Sequence, residues 1–465
     1  MSRATLCRYA GLAGSLLLAV AAWLGGARSP WQPTVTPRTI FAGENGVVLP
    51  LSWLLGTLLM IGAWWFGRRA VPSARWAYVT AALWAVPLLP FLPLGSYDVY
   101  SYACQGWQQS AGLDPYAGGV AGCPWHEAVA PTWLNSPAPY GPVFLVLAAA
   151  AAKLGGSLTG TIILLRVIAV LGVLLIAVCL PVLARRAGVP LKRAVWLTLA
   201  CPLVPIHLVS GAHNDAVMVG FLVAALALAS TKRYFWAAGI LLGLAIGVKA
   251  TAVVVVPFVL LLARPRWLRG AVEIVGSAAA TIVVISLASG RGLGWITGLT
   301  GSSISVQWTS PSTAVGMAID QFGPDAVPVT RVVGIVVLVV VLALLWWRSI
   351  TIKTADPITY AGYALAATVL LSPVFHPWYA TWALPVLAAT LRRDTRWLLV
   401  PCAIASALCL PDGYNLALAT KAQGALAVTA FLLIFAGKAI YEAKNRAGPD
   451  RRRARGDRDP ERLPY

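Results

Sequence analysis

Residues 332–347 read VVGIVVLVVVLALLWW, a run without one charged residue, closed on either side by Arg331 and Arg348. LPLSWLLGTLLMIGAWWFG, at 49–67, has the same character. Uncharged apolar runs approaching 20 residues are read as helices that cross a bilayer, and they recur along most of the chain. Of its 465 residues, 59% are hydrophobic and 11% charged, whereas a soluble globular domain carries about 25% charged residues. The alternating pattern of a membrane barrel is absent. The fold class is therefore all-α and polytopic, a membrane protein built from helices.

A net charge of +20 would suit a nucleic-acid binder, but the bases are not gathered into a binding patch. They occupy short joints between apolar runs: Arg68-Arg69, Arg185-Arg186, Lys192-Arg193, Lys232-Arg233, Arg264, Arg266, Arg269, Arg348, Lys353 and Arg392-Arg393 with Arg396. That is the charge asymmetry of cytoplasmic loops, so no nucleic-acid partner is expected. Residues 444–465, rich in Arg, read as a disordered cytoplasmic tail against an anionic leaflet. Residues 1–443 read as one transmembrane domain. The first 27 residues resemble a signal peptide in layout, and are read here as a retained first helix.

Placing every basic joint in the cytoplasm predicts helices near 9–26, 47–66, 76–94, 161–183, 194–210, 216–231, 235–248, 250–263, 270–290, 329–348, 358–374, 378–391, 397–411 and 422–440. The segment 139–153 must then stay at one face, as an interfacial or re-entrant helix. Several of these spans are near 14 residues, short for a straight crossing, which points to broken helices. The same parity places 95–153 outside as a large loop with interfacial helices. It adds SGAHND (210–215), Lys249, 291–312, FHPWYATW (375–382) and PDGYN (411–415) to that face. No Lys or Arg occurs from Trp76 to Ala152. Cys104 and Cys123 share the loop and can pair if it meets an oxidising compartment; no CxxC motif is present.

On that face, Asp98 either caps a short helix ending near Gly112 or serves as a general base, with Tyr102 at i+4 on the same helical side. A carboxylate among apolar and aromatic groups has a raised pKa, which suits proton abstraction from a sugar hydroxyl. Tyr100, Asp114 and Tyr116 flank it in the same loop. His213, Asn214 and Asp215 either cap the next helix or hydrogen-bond sugar hydroxyls. Lys249, alone between two apolar runs, is an expensive charge whose natural partner is a lipid phosphate, and Arg166 is a second basic group for that role. His376, Trp378 and Tyr379 follow as an aromatic belt or a sugar-stacking platform, His376 also being a phosphate contact.

In order, SYDVYSYACQGWQQSAGLDPY (96–116), WLNSPAPYGPVF (133–144), GAHNDAVMVG (211–220), GVKATAVVVVPF (247–258) and LLSPVFHPWYATWALP (370–385) resemble motifs of the polyprenol-phosphate-mannose-dependent α-1,6-mannopyranosyltransferases. These are GT-C enzymes of lipomannan and lipoarabinomannan synthesis. The resemblance implies a GT-C fold, to which the charge and hydropathy map assigns about 12–14 membrane helices. It implies a polyprenyl-phosphate-mannose donor, a mannan or lipoglycan acceptor, and inverting transfer to its 6-hydroxyl without a metal or other cofactor. It also implies an extracytoplasmic site at the cell membrane with Asp98 as base. The alternatives are another prenyl-linked sugar, arabinofuranose or glucose, or a lipid-linked sugar transporter. A transporter would hold its ionisable groups at the midplane between repeated halves, and no repeat is present.

Overall fold

The computed structural model describes residues 1–32, 35–43, 45–299, 305–393 and 396–446. Most of the basic tail, from 447 onward, lies outside the described residues. In chain order the helices are α1 (Arg3–Gly25), α2 (Val48–Gly67), α3 (Ala74–Ala85), α4 (Asp98–Ser110), α5 (Pro131–Leu134), α6 (Pro142–Gly155) and α7 (Leu158–Ala187). Then come α8 (Leu191–Leu199), α9 (Asp215–Ser230), α10 (Phe235–Val248), α11 (Val256–Leu262), α12 (Trp267–Ala288) and α13 (Gly294–Gly298). The last are α14 (Pro311–Asp320), α15 (Val327–Thr351), α16 (Pro357–Leu371), α17 (Leu384–Thr390), α18 (Arg396–Ala407) and α19 (Lys421–Arg446). Among the described residues there is no strand, only an isolated bridge between Cys409 and Asn415. The protein is an all-α polytopic membrane protein.

Among the described residues six helical segments are long and apolar enough to cross a bilayer: α1, α2, α7, α12, α15 and Leu416–Asn445, which takes in all but the last residue of α19. Of the remaining apolar segments some are short continuous helices, such as α9 and α16, and others are broken, most of them at prolines. The proline ring removes one backbone donor and clashes with the preceding turn. The span predicted at 194–210 is α8 followed by a wide turn, Val204–Ser210, bent by 62° around Pro202 and Pro205. The span at 76–94 stops at Ala85, because Pro87, Pro90 and Pro93 follow. The span at 378–391 is a 3₁₀ turn, Pro377–Thr381, and then α17 behind Pro385. Half of 250–263 is likewise 3₁₀, Ala250–Val255, before α11. Segment 139–153 is α6, a 14-residue helix.

Small residues let the helices approach closely, the usual solution where lipid offers no hydrophobic driving force between them. A Cβ on Gly14 would stand 2.7 Å from the Gly56 carbonyl, and one on Gly56 would stand 2.8 Å from that of Gly14. This contact is where α1 and α2 cross. Gly106 of α4 meets the Ala148 backbone of α6 in the same way. There α4, a short helix whose residues 99–106 are all buried, is pressed onto the bundle. Cys104 and Cys123 are joined by a disulfide, which ties α4 to the loop that returns past it.

Candidate functional site

Asp98 is the first residue of α4, and its carboxylate is not spent on capping. The cap position, Tyr97, makes no side-chain capping bond, and the Asp98 N–H donates to Ser96 Oγ at 3.0 Å. The carboxylate itself accepts from Trp133 Nε1 at 3.2 Å through Oδ1, while Oδ2 lies 3.8 Å from His213 Nδ1. With 13% of the side chain exposed, burial pushes the Asp98 carboxyl up to about 6, against the opposing pull of the Lys249 charge and the Trp133 hydrogen bond. A carboxylate so tuned accepts a proton near neutral pH.

Lys249 sits where α10 ends in an extended residue before the 3₁₀ turn. That break is what turns a lysine out of an apolar run. Its Nζ donates to Asp215 Oδ1 at 2.8 Å and lies over the rings of Tyr379 (4.4 Å) and Trp382 (5.1 Å). Trp382 Nε1 donates to the same Asp215 oxygen at 2.6 Å. The first turn of α9 and the segment after α16 are thereby fastened to the end of α10. Gly141 closes the corner, its N–H donating to the Val248 carbonyl at 3.1 Å.

Between Asp98 and Lys249 runs a stack of rings. Trp378 lies face to face with His213 at 3.8 Å and with His376 at 4.7 Å. Burial, and next the Lys249 charge, pushes the His376 imidazole down to about 3. His376 is thus a neutral ring beside the site, available as a hydrogen-bonding group and not as a cation.

Two cavities meet here. One, of about 230 Å³, is bounded by Asp98, Trp31, Gln307, Asp412 and Asn415. The other, of about 210 Å³, is bounded by Asp98, Lys249, Tyr140, Thr251, Tyr379 and Trp382. Asp98, Trp133, His376 and Trp378 line both; they form the partition. Lys249 belongs to the second alone. One side therefore offers a carboxylate and hydrogen-bonding amides, and the other a carboxylate and a cation on an aromatic floor.

The remaining residues singled out in the sequence fall into three positions. His213, Asn214 and Asp215 lie behind the partition, with Tyr102 donating to or accepting from His213 Nδ1 at 3.3 Å. Both polar atoms of the buried Asn214 side chain lack a partner. Asp114 accepts from the Tyr116 N–H at 2.9 Å, closing a turn, and the Tyr116 hydroxyl donates to the Tyr140 carbonyl at 3.0 Å. Tyr100 and Arg166 are turned elsewhere. Tyr100, two residues from Asp98, points to the far side of α4, as helical spacing dictates, and its hydroxyl donates to the Ala27 carbonyl. Arg166 donates to the carbonyls of Leu89 and Ser210 and lines a third cavity.

Trp133, Trp31, Gln307, Asp412 and Asn415 were not among the residues the sequence singled out. Asp412 accepts from the N–H groups of Val35 and Tyr414, which holds its turn in place, and burial pushes it up to about 6. Among the described residues no group of three or more His, Cys, Asp or Glu is arranged to hold a metal ion.

The family model for the alpha-(1->6)-mannopyranosyltransferase N-terminal domain matches residues 8–265, and that for the MptB C-terminal domain matches 309–437. The alpha-(1->6)-mannopyranosyltransferase A of Mycobacterium tuberculosis is 33% identical over 408 residues, covering 81% of this chain and 79% of its own. The alpha-(1->6)-mannopyranosyltransferase B of Corynebacterium glutamicum is 30% identical, covering 83% and 73%. A probable alpha-(1->6)-mannopyranosyltransferase of Mycolicibacterium smegmatis is 29% identical, covering 83% and 79%. No solved structure gives a significant match.

Proposed function

Because the chain belongs to the alpha-(1->6)-mannopyranosyltransferase family, we propose that it transfers mannose from polyprenyl-phosphate-mannose to the 6-hydroxyl of a mannan or lipoglycan acceptor, inverting the anomeric carbon. The observation that carries the reading is the partition: Asp98 faces both cavities, and Lys249 only one. An inverting displacement needs the nucleophile and the leaving group on opposite faces of the sugar. The amide- and acid-lined cavity takes the acceptor end, and the Lys249 cavity takes the donor.

Asp98 removes the proton of the attacking 6-hydroxyl as the new bond to the anomeric carbon forms. The bond from that carbon to the phosphate oxygen breaks, and its electron pair leaves with the polyprenyl phosphate. Lys249 stabilises the charge that grows on that phosphate. It does so with Asp215 and the Trp382 indole holding it in position, and the reading requires no metal. Tyr379 and Trp382 line the Lys249 cavity and supply ring contacts for the pyranose, whereas Trp378, stacked against His213 and His376, stiffens the wall beside it. The disulfide between Cys104 and Cys123 supports an extracytoplasmic site, since such bonds persist in oxidising compartments. A GT-C architecture accommodates the same arrangement, with the prenyl tail in the bilayer and the sugar at its edge.

The test is transfer from radiolabelled polyprenyl-phosphate-mannose to a short α-1,6-mannoside, in membranes carrying the protein or its Asp98→Asn variant. Label in the product with the native chain, and a loss of about 10²–10⁴-fold with the variant, is expected. Equal transfer by both would remove Asp98 from the chemistry. Transfer only from prenyl-linked arabinofuranose or glucose would replace the donor.

A further inference from the structure

The third cavity, of about 520 Å³, shares no wall residue with the two that meet at Asp98. It lies between the C-terminal end of α1, the proline-rich segment after α3, and the first third of α7. Its wall carries two arginines, Arg28 and Arg166, and no acid. Trp23, Phe91 and Ile163 supply apolar surface, and Trp23 and Ile163 are open on the outside of the bundle. Arg166 stands eight residues into an apolar spanning helix, about 12 Å along its axis. No carboxylate pairs with it among the described residues.

An arginine at that depth is costly unless something negative meets it. Carbonyls of Leu89 and Ser210 orient its guanidinium, but they take only part of its five-donor capacity, and its buried Nε has no partner. Arg28, at the mouth, donates to the Leu24 carbonyl and is otherwise exposed. A cavity with two cations, no counter-charge and a lipid-facing apolar wall fits a phosphodiester with acyl chains. We propose that it holds the headgroup of an anionic glycerophospholipid, its phosphate between Arg28 and Arg166 and its chains along α7.

The position gives that lipid a task. The Arg28 N–H donates to the Tyr97 hydroxyl at 3.1 Å, and the Tyr100 hydroxyl donates to the Ala27 carbonyl at 2.7 Å. Residues 27 and 28 thus clasp the start of α4, which carries Asp98. A bound headgroup braces this clasp from the side opposite the two-cavity site. The proposal does not depend on which sugar is transferred.

The full-length protein in nanodiscs of phosphatidylcholine with or without phosphatidylglycerol tests it, by native mass spectrometry and thermal unfolding. Retention of phosphatidylglycerol over phosphatidylcholine, with higher thermal stability, is expected. Arg28→Gln should weaken that retention about tenfold, the loss of one charge-assisted contact. Ile163→Trp, which fills the mouth without touching a charge, should abolish it while the protein remains folded. Arg166→Gln is avoided as a first test because its carbonyl bonds join three segments. Equal retention of the two lipids, unchanged retention in both variants, stabilisation by inorganic phosphate alone, or selective capture of polyprenyl phosphate would each overturn the assignment.

Discussion

Lys249 and Asp215 form a pair at 2.8 Å in which the carboxylate is fully buried and the lysine side chain is 13% exposed. Both groups are anchored at helix ends, α10 and α9, so the pair is at once a brace and the site's source of positive charge. Removing one member strands the other. Lys249→Met is expected to destabilise the protein by about 3–5 kcal/mol, the usual cost of a buried charge left alone. Lys249→Met with Asp215→Leu should recover most of that stability and none of the transfer activity. Denaturation midpoints alongside transfer rates separate the two roles; a double variant that regained activity would make the pair merely structural.

For Asp98 the direction of the pH effect follows from its environment. The proposed base works ionised, and burial has pushed the Asp98 carboxyl up to about 6, so on the proposed mechanism kcat/KM should fall as the pH drops through that value. Trp133 and the Lys249 charge both favour the ionised form. Trp133→Phe should therefore move the acidic limb to higher pH, because a group that favoured the charged carboxylate is gone. A limb that stayed in place would mean that another group sets it.

Chelation gives a sharper distinction between mechanisms. If Lys249 neutralises the departing phosphate, then EDTA should change the transfer rate by no more than about twofold, where a metal-assisted reaction would stop. The rate should also survive dialysis into metal-free buffer.

The bridge from Cys104 to Cys123 closes a loop of 19 residues beside α4. Cys104→Ser with Cys123→Ser should lower stability by about 3 kcal/mol on the chain-entropy view. It should cost activity more than the fold as a whole suffers, since the loop leads on to Trp133 and its contact with Asp98. Thermal unfolding and transfer rates of the double variant, with the native protein under reductant as a control, measure both.

Much of this was written in residue type. Asp98, Lys249 and His376 stand out in apolar sequence because each is a polar group whose placement there demands a reason, and all three line the second cavity. What depended on direction was not legible. Tyr100 and Tyr102 look equivalent in DVYSY, yet two positions on a helix turn a side chain to the opposite face, and only Tyr102 looks toward His213. Arg166 shared the expected leaflet with Lys249, but nothing in the run of α7 says which flank it occupies. Trp133 contributes one indole N–H, and its approach to Asp98 depends on a 31-residue excursion between α4 and α6 with little helical periodicity to read. Broken spans were foreseeable from length, while the break points followed prolines.

The partition at Asp98 bears on how a polymer would grow. After each transfer in the proposed reaction, the added mannose lies on the Lys249 side of Asp98, in the space the next donor must fill. The second cavity has Tyr379 and Trp382 as its floor. Each cycle then includes a translocation: the product backs up by one sugar, past His376 and Trp378, before another donor enters. Chain length would be governed by the competition between that backward step and outright release, making processivity a property of the wall between the cavities and not of the chemistry across it.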